Sequence, residues 1–242
     1  MTDGVKSIVV AGTVAFVCAL VVSTSAVVLK PYQQANLEAE RQARIQAIVA
    51  GVPGLSDLLG VNARLRDEVV EVSTGHVGMI FKDTTSPLDP ADDLAGLKER
   101  EDFQTVYVAE DTNARVQLII LPVRGLGYAS IMKGFIALSG DGQTIQGLAI
   151  TEHGETPGLG ARVDDPEWLI QWSGKSVYDA SGQVAIDLVK GGASGPHQVD
   201  AISGATRTSN GVENMLRFWL GPLGYGPYLI RIREGAREGD MR

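Results

Sequence analysis

The chain has 242 residues, a formal net charge of −8 and a single cysteine. The acidic balance argues against binding to nucleic acids or to anionic lipids, because both attract basic surfaces. With Cys18 as its only cysteine, the chain cannot form an internal disulfide, a zinc ribbon or, by itself, a cysteine-ligated iron–sulfur cluster. We predict neither a resident metal nor a catalytic residue in this chain.

Residues 7–29 carry no charged side chain. As a helix they would span roughly 35 Å, which is enough to cross a hydrocarbon core of about 30 Å. We therefore predict a membrane anchor over residues 1–30 and one globular domain over residues 31–242. The alternative is a signal peptide cleaved near Thr24-Ser25-Ala26, which the length of the apolar run disfavours. Basic residues flank the run on both sides, so the positive-inside rule does not decide its orientation.

The remaining sequence predicts an α+β domain, with an antiparallel sheet and flanking helices. The predicted elements, in chain order, are a helix over 32–49, a polar surface segment over 83–100, strands over 105–109, 115–121, 130–138 and 144–151, a short helix over 166–172, a strand over 183–190, and a helix over 211–220. The turn Ser139-Gly140-Asp141-Gly142 predicts a hairpin between the third and fourth strands. Trp168, Trp172 and Trp219 are expected in the core rather than in a binding site.

A cluster of hydroxyl side chains precedes the last predicted helix, in the segment Asp200-Ala201-Ile202-Ser203-Gly204-Ala205-Thr206-Arg207-Thr208. Ser209 or Asn210 is the expected cap of that helix, with Glu213 placed to complete a capping box. The free N–H groups and the dipole of a helix start suit a phosphate. A hydroxyl there could hydrogen-bond the phosphate or be esterified to it. The alternative is that these hydroxyls only form turns and caps.

A second unusual segment follows the fourth strand, at Glu152-His153-Gly154-Glu155-Thr156-Pro157-Gly158-Leu159-Gly160. Its carboxylates and histidine do not have the spacing of a metal site. Its glycines do not form a dinucleotide-binding fingerprint, and no βαβ unit surrounds them. The pattern favours a shaped loop whose backbone can approach a flat or anionic group closely.

The two segments together resemble the FMN-binding subunits of redox-driven ion pumps. The hydroxyl cluster is similar to the flavinylation motif Asp-x-x-Ser/Thr-Gly-Ala-Ser/Thr-x-Ser/Thr of that family. The loop at 153–160 and the Gly/Pro-rich segment at 220–229 resemble the C subunits of sodium-translocating NADH:quinone oxidoreductases. The resemblance covers most of residues 125–230.

The resemblance implies a flavin site within residues 125–230. In the family the last hydroxyl of the motif, Thr208 here, carries FMN through a phosphoester bond. Glu155 and Thr156 would hydrogen-bond the isoalloxazine or the ribityl chain, and Leu159 would pack on the ring. Gly158 and Gly160 would give clearance. The other cofactor-binding positions implied by the motif are Ser203, Gly204, Ala205 and Thr206, while Arg207 fills its variable position as a solvated charge.

The resemblance also implies a role and a location. The chain would relay electrons between an iron centre of the membrane subunits and the flavin of the B subunit, within an NADH:ubiquinone reductase that transports Na⁺. Its partners would be the B, D and E subunits, and it would have no complete activity alone. A separate magnesium-dependent transferase would attach the flavin from FAD, so that Thr208 needs no activating base in this chain. The domain would lie on the periplasmic side of the bacterial inner membrane.

Two alternatives remain open. One is the flavinylated G subunit of the related ferredoxin:NAD-oxidoreducing ion pump, which shares the hydroxyl motif; the loop at 153–160 and the segment at 220–229 speak against it. The other is a membrane-tethered sensor or binding domain without redox chemistry, in which the hydroxyl cluster is only a cap.

Overall fold

A computed structural model of the chain describes residues 11–13, 15–16, 18–19, 64–78, 82–113 and 115–240. The chain divides into two compact units, Met1–Ala47 and Ile48–Arg242. In the first unit the described residues are helical. No helix within the described ranges is both long enough and apolar enough to span a membrane. Most of the predicted anchor and the whole predicted helix over 32–49 lie outside the described residues.

The second unit is built around a six-stranded sheet with the strand order β2-β1-β5-β6-β7-β8. All five neighbouring pairs are antiparallel. The strands are β1 (Arg64–Glu71), β2 (His76–Gly78), β5 (Phe103–Glu110), β6 (Val116–Leu126), β7 (Ile131–Ser139) and β8 (Ile145–Glu152). The first four of the five predicted strands are confirmed as β5 to β8, and so are the β7–β8 hairpin and the α+β class.

Two small strand pairs lie outside this sheet. β3 (Thr85–Pro87) pairs antiparallel with β4 (Glu99–Glu101), and β9 (Asp187–Val189) pairs parallel with β10 (Gln198–Asp200). The segment 83–100 was expected to be a polar surface segment, and this is wrong in part. Ala95 and Leu97 are buried in the core, because the segment folds back and Ala95 accepts a hydrogen bond from Leu126 N at 2.7 Å. The strand predicted over 183–190 is observed only over Asp187–Val189, as β9.

Three α-helices complete the described part of this unit: α1 (Pro166–Leu169), α2 (Thr206–Leu220) and α3 (Gly226–Asp240). Short 3₁₀ helices at Gly160–Asp164 and Ile170–Trp172 flank α1, which confirms the predicted short helix over 166–172. The Gly/Pro-rich composition of the segment 220–229 favours a turn that packs its two tyrosines, but helix α3 begins within it. Its tyrosines explain this, since Tyr225 and Tyr228 are buried against the sheet and donate to Pro122 O at 2.8 Å and Glu68 Oε2 at 2.9 Å.

Helix α2 packs along β6 and contacts the C-terminal end of that strand. Trp219 is fully buried and its indole N–H donates to Arg124 O at 2.7 Å. At the other end of the helix a Cβ on Gly211 would lie 2.6 Å from Leu126 O, so only glycine permits this close approach. The second turn of α2 is thereby held against the start of the β6–β7 turn. Trp168 and Trp172 are also buried, as predicted.

Candidate functional site

Three segments that are distant in sequence meet at one edge of the sheet. They are the turn 127–130 between β6 and β7, the loop 153–160 after β8, and the first turn of α2 with the residues preceding it. Between them lies a cavity of about 430 Å³. Its lining residues are Tyr128, Glu155, Thr156, Leu159, Gly160, Gly204, Ala205, Thr206, Arg207 and Thr208. The two unusual segments of the sequence therefore form the walls of the same cavity.

Helix α2 begins at Thr206, so the predicted start near Ser209 or Asn210 is wrong. Ser209 is fully buried inside the first turn, where its Oγ accepts from Ile202 N at 2.9 Å and donates to Ala205 O at 3.1 Å. Its hydroxyl therefore ties the helix to the preceding loop. The expected capping box is also absent, because Glu213 instead accepts from Leu188 N at 3.1 Å and pairs with Arg217 at 3.0 Å.

Because α2 begins at Thr206, the backbone N–H groups of its first turn lie at the cavity. The first intrahelical bond runs from Ser209 N to Ala205 O at 3.0 Å. The N–H groups of Thr206, Arg207 and Thr208 precede it and have no intrahelical acceptor. The N-cap residue, Ala205, makes no side-chain capping bond. All four residues line the cavity, so one of its walls is a helix N-terminus with its dipole directed inward.

The residues before α2 shape the turn that leads to this wall. Asp200 accepts from Ala193 N at 2.8 Å through its Oδ1, and its carbonyl accepts from the indole of Trp168, also at 2.8 Å. Gly204 has φ +80°, a conformation that L side chains rarely adopt. Ser203 is exposed and does not line the cavity. The acid and the glycine of the motif thus have structural roles in the folded chain.

The closest contact in the site joins Thr208 to Glu155. Thr208 Oγ1 donates to Glu155 Oε2 at 2.5 Å, and the two residues are 2% and 5% exposed. The other carboxylate oxygen, Oε1, accepts from Tyr128 N at 2.9 Å and Ala129 N at 3.0 Å. A Cβ on Gly160 would lie 2.5 Å from Thr208 Oγ1 and 2.7 Å from Glu155 Oε2, so glycine is needed beside the pair.

The mouth of the cavity is apolar and aromatic. Leu159 is 48% exposed and Tyr128 is 57% exposed. The Arg207 guanidinium lies 5.4 Å from the centre of the Tyr128 ring, which is within cation–π distance. Arg207 is exposed, as expected, but it contacts an aromatic ring instead of only solvent. Tyr128 was not predicted to line the site, because a tyrosine in a short turn between strands carries no local signal of binding.

The remaining sequence-predicted positions are divided between the cavity and its surroundings. Thr156 is exposed and lines the cavity, whereas Gly158 does not line it and adopts φ +75° in the loop. His153 bonds Asp164 Oδ2 through its Nε2 at 3.1 Å, and its Nδ1 accepts from Glu155 N at 3.2 Å. These two hydrogen bonds hold the loop 153–160 in place from outside the cavity lining.

A larger cavity, of about 730 Å³, lies between the β1–β2 hairpin and α3. Its wall includes Glu68, Tyr228 and Arg231, and none of the residues of the two unusual segments. Cavity size alone therefore does not identify the functional site.

Comparison with known proteins defines the family. The FMN-binding domain family matches residues 127–221, a range that includes every residue lining the smaller cavity. The C subunit of the Na⁺-translocating NADH-quinone reductase of Pseudomonas aeruginosa is 40% identical, over 95% of this chain and 96% of its own length. The chain belongs to the family of these reductase C subunits. The C subunit of the Vibrio alginolyticus reductase is 38% identical over 90% of this chain and 91% of its own length.

The fold agrees with that of solved members of this family. The crystal structure of Shewanella oneidensis NqrC superimposes with a TM-score of 0.70 at 29% identity, covering 81% of this chain and 99% of that one. The C subunit from Parabacteroides distasonis gives a TM-score of 0.56 at 25% identity, covering 83% and 96%. The similarity to C subunits thus extends over nearly the full chain, which favours this family over the related ferredoxin-linked pump.

The smaller cavity of this family member fits a flavin mononucleotide. Its volume falls within the usual range for small-ligand sites, about 300–1,000 Å³. The helix N-terminus of α2 supplies donors for a phosphate, and the hydroxyl of Thr208 lies in the same wall. Leu159 and Tyr128 supply apolar surface at the mouth.

Proposed function

We propose that this chain carries FMN esterified through its phosphate to Thr208, and that it relays electrons within a Na⁺-translocating NADH-quinone reductase. The observation that carries the proposal is the position of the Thr208 hydroxyl. It lies in the first turn of α2, in the wall of a cavity of about 430 Å³, beside backbone donors that suit a phosphate. Full-length similarity to C-subunit sequences supports the assignment to this complex.

The residues of the site would hold the cofactor and leave its redox centre accessible. FMN, when bound, accepts or donates one or two electrons and can therefore connect carriers of either kind. The N–H groups at the start of α2 would hold the phosphate. Leu159 and Tyr128 would cover part of the ring, and Thr156 would hydrogen-bond the ring or the ribityl chain. Because Leu159 and Tyr128 are both about half-exposed, a partner could approach closely enough for electron transfer.

The experiment that tests attachment is production of the full-length chain together with a flavin transferase and FAD. Flavin fluorescence should survive denaturing electrophoresis in the wild-type chain and in Thr208→Ser, which keeps a hydroxyl. It should be absent from Thr208→Ala, and Thr206→Ala should still carry covalent flavin. Fluorescent Thr208→Ala protein would reject Thr208 as the attachment site. A wild-type chain without covalent flavin would favour a non-redox binding domain.

The cellular setting is part of the same proposal. Residues 7–29 would anchor the chain in the bacterial inner membrane, with the flavin domain on the periplasmic side and the B, D and E subunits as partners. Fusions of the C-terminus to a reporter active only in the periplasm and to one active only in the cytoplasm test this topology. Activity of the cytoplasmic reporter alone would contradict it.

A further inference from the structure

The hydroxyl of Thr208 is engaged by a carboxylate from the loop that follows β8. Thr208 Oγ1 donates its proton to Glu155 Oε2 at 2.5 Å. Both side chains are almost fully buried, yet both line the cavity. The contact joins residues 53 positions apart in sequence. A local hydroxyl cap would not require this long-range partner.

The carboxylate is held in one orientation. The backbone N–H groups of Tyr128 and Ala129 bind Oε1, which leaves Oε2 directed toward Thr208. Glu155 accepts in all three contacts, so Oε2 is the oxygen placed to take a proton from Thr208. The glycine at position 160 leaves room for this arrangement, since a Cβ there would contact both members of the pair.

We propose that Glu155 accepts the proton of Thr208 during flavin attachment, as a catalytic residue supplied by the acceptor chain itself. This inference rests on the proposed function. The co-reactant is a flavin adenine dinucleotide presented by the transferase. The Thr208 oxygen forms a bond to the flavin-side phosphorus, and the bond from that phosphorus to the bridging oxygen breaks. AMP leaves with the electron pair of the broken bond, and the hydroxyl proton passes to Glu155 Oε2.

The physical reason is that a neutral hydroxyl is a weak nucleophile, which an adjacent general base activates. A carboxylate hydrogen-bonded to the acceptor hydroxyl is the arrangement that protein kinases use for phosphoryl transfer. Positioned general bases accelerate such steps by roughly 10²–10⁴-fold. The sequence resemblance implies that Thr208 needs no base from its own chain, but the folded structure brings one to hydrogen-bonding distance.

The test is the initial rate of covalent flavin incorporation into the full-length chain, with purified transferase, FAD and Mg²⁺, from pH 6 to pH 9. Glu155→Gln keeps the size and the acceptor for Tyr128 N and Ala129 N but removes the base. We expect it to slow incorporation by roughly 10²–10⁴-fold near neutral pH. The ratio of wild-type to variant rate should shrink about tenfold per pH unit as hydroxide replaces the missing base. Glu155→Asp should recover part of the rate.

The matched control is Glu152→Gln, which neutralises an exposed glutamate three residues earlier that pairs with Lys133 at 2.7 Å. It should incorporate flavin at the wild-type rate, and thermal melts should show which variants remain folded. Two results would overturn the inference: a wild-type rate in Glu155→Gln, or a loss in Glu155→Gln that does not vary with pH and that Glu155→Asp shares in full. A wild-type chain that takes up no flavin would instead refute the proposed function.

Discussion

The substitution Gly160→Ala should disrupt the Thr208–Glu155 pair without straining the backbone. Gly160 is not among the residues with positive φ, so alanine can adopt its conformation. The added Cβ would lie 2.5 Å from Thr208 Oγ1 and 2.7 Å from Glu155 Oε2, and real Cβ contacts essentially never fall below 3.0 Å. Both oxygens must therefore move away from the new methyl group, Thr208 Oγ1 by about half an ångström, which distorts and weakens the hydrogen bond between them.

The cost in stability follows from the weakening of that bond and from crowding. A hydrogen bond to a charged group contributes about 1.5–3 kcal/mol, and overpacking a well-packed site costs about 1–3 kcal/mol. Because the displaced side chains can shift partly into the cavity, we expect a total of about 3 kcal/mol. In a domain of this size that corresponds to a decrease in Tm of about 6–12 °C.

The assay is a thermal melt of the full-length chain followed by tryptophan fluorescence, together with covalent flavin incorporation. The matched control is Gly174→Ala, at a glycine with φ +80° and no atom within 4 Å of the added Cβ. That variant should lose about 1–2 kcal/mol through backbone strain but incorporate flavin normally. If Gly160→Ala melts like the wild type and incorporates flavin at the same rate, the packing around Thr208 described above is wrong.

Three further outcomes are expected. Trp219→Phe should destabilise the fold by about 1–3 kcal/mol more than Trp172→Phe in urea unfolding, because it leaves the partly buried carbonyl of Arg124 unpaired. The Trp172 indole N–H has no hydrogen-bond partner among the described residues, so its removal leaves no such group; equal losses would contradict this. Burial raises the pKa of Tyr178 to about 12, while the phenol of the unfolded chain titrates near pH 10. The contribution of Tyr178 to stability should therefore be constant below about pH 10 and fall between pH 10 and 12, and Tyr178→Phe should reduce the slope of stability against pH in that window by up to about 1.4 kcal/mol per pH unit; an unchanged slope in urea titrations would argue against burial of the phenol. Leu159→Ala should keep covalent flavin but make its fluorescence easier to quench with iodide, since a half-exposed wall of the cavity is removed; unchanged quenching would exclude Leu159 from contact with the ring.

The central strands and the hairpin could be predicted because their signals are local. Strands β5 to β8 are rich in apolar and β-branched residues, and a Gly/Asp turn separates the last two. Strand β1 was missed because five of its eight residues are charged. It is a strand because β2 and β5 pair with both of its edges, which is a tertiary effect. Helix α3 was missed for a similar reason, since buried Tyr225 and Tyr228 hold a Gly/Pro-rich start against the sheet.

Sequence patterns alone identified two of the three segments that form the site, through the hydroxyls before α2 and the glycines and proline after β8. Their resemblance to a flavin-binding family singled out Thr208. The start of α2 depends on tertiary contacts, because Ser209 is buried and its hydroxyl bonds Ile202 N and Ala205 O instead of capping a later helix start. The contact partner of Thr208 depends on the fold in the same way. The loop after β8 lies beside the first turn of α2, so the Glu155 carboxylate accepts a hydrogen bond from a hydroxyl 53 residues away in the sequence.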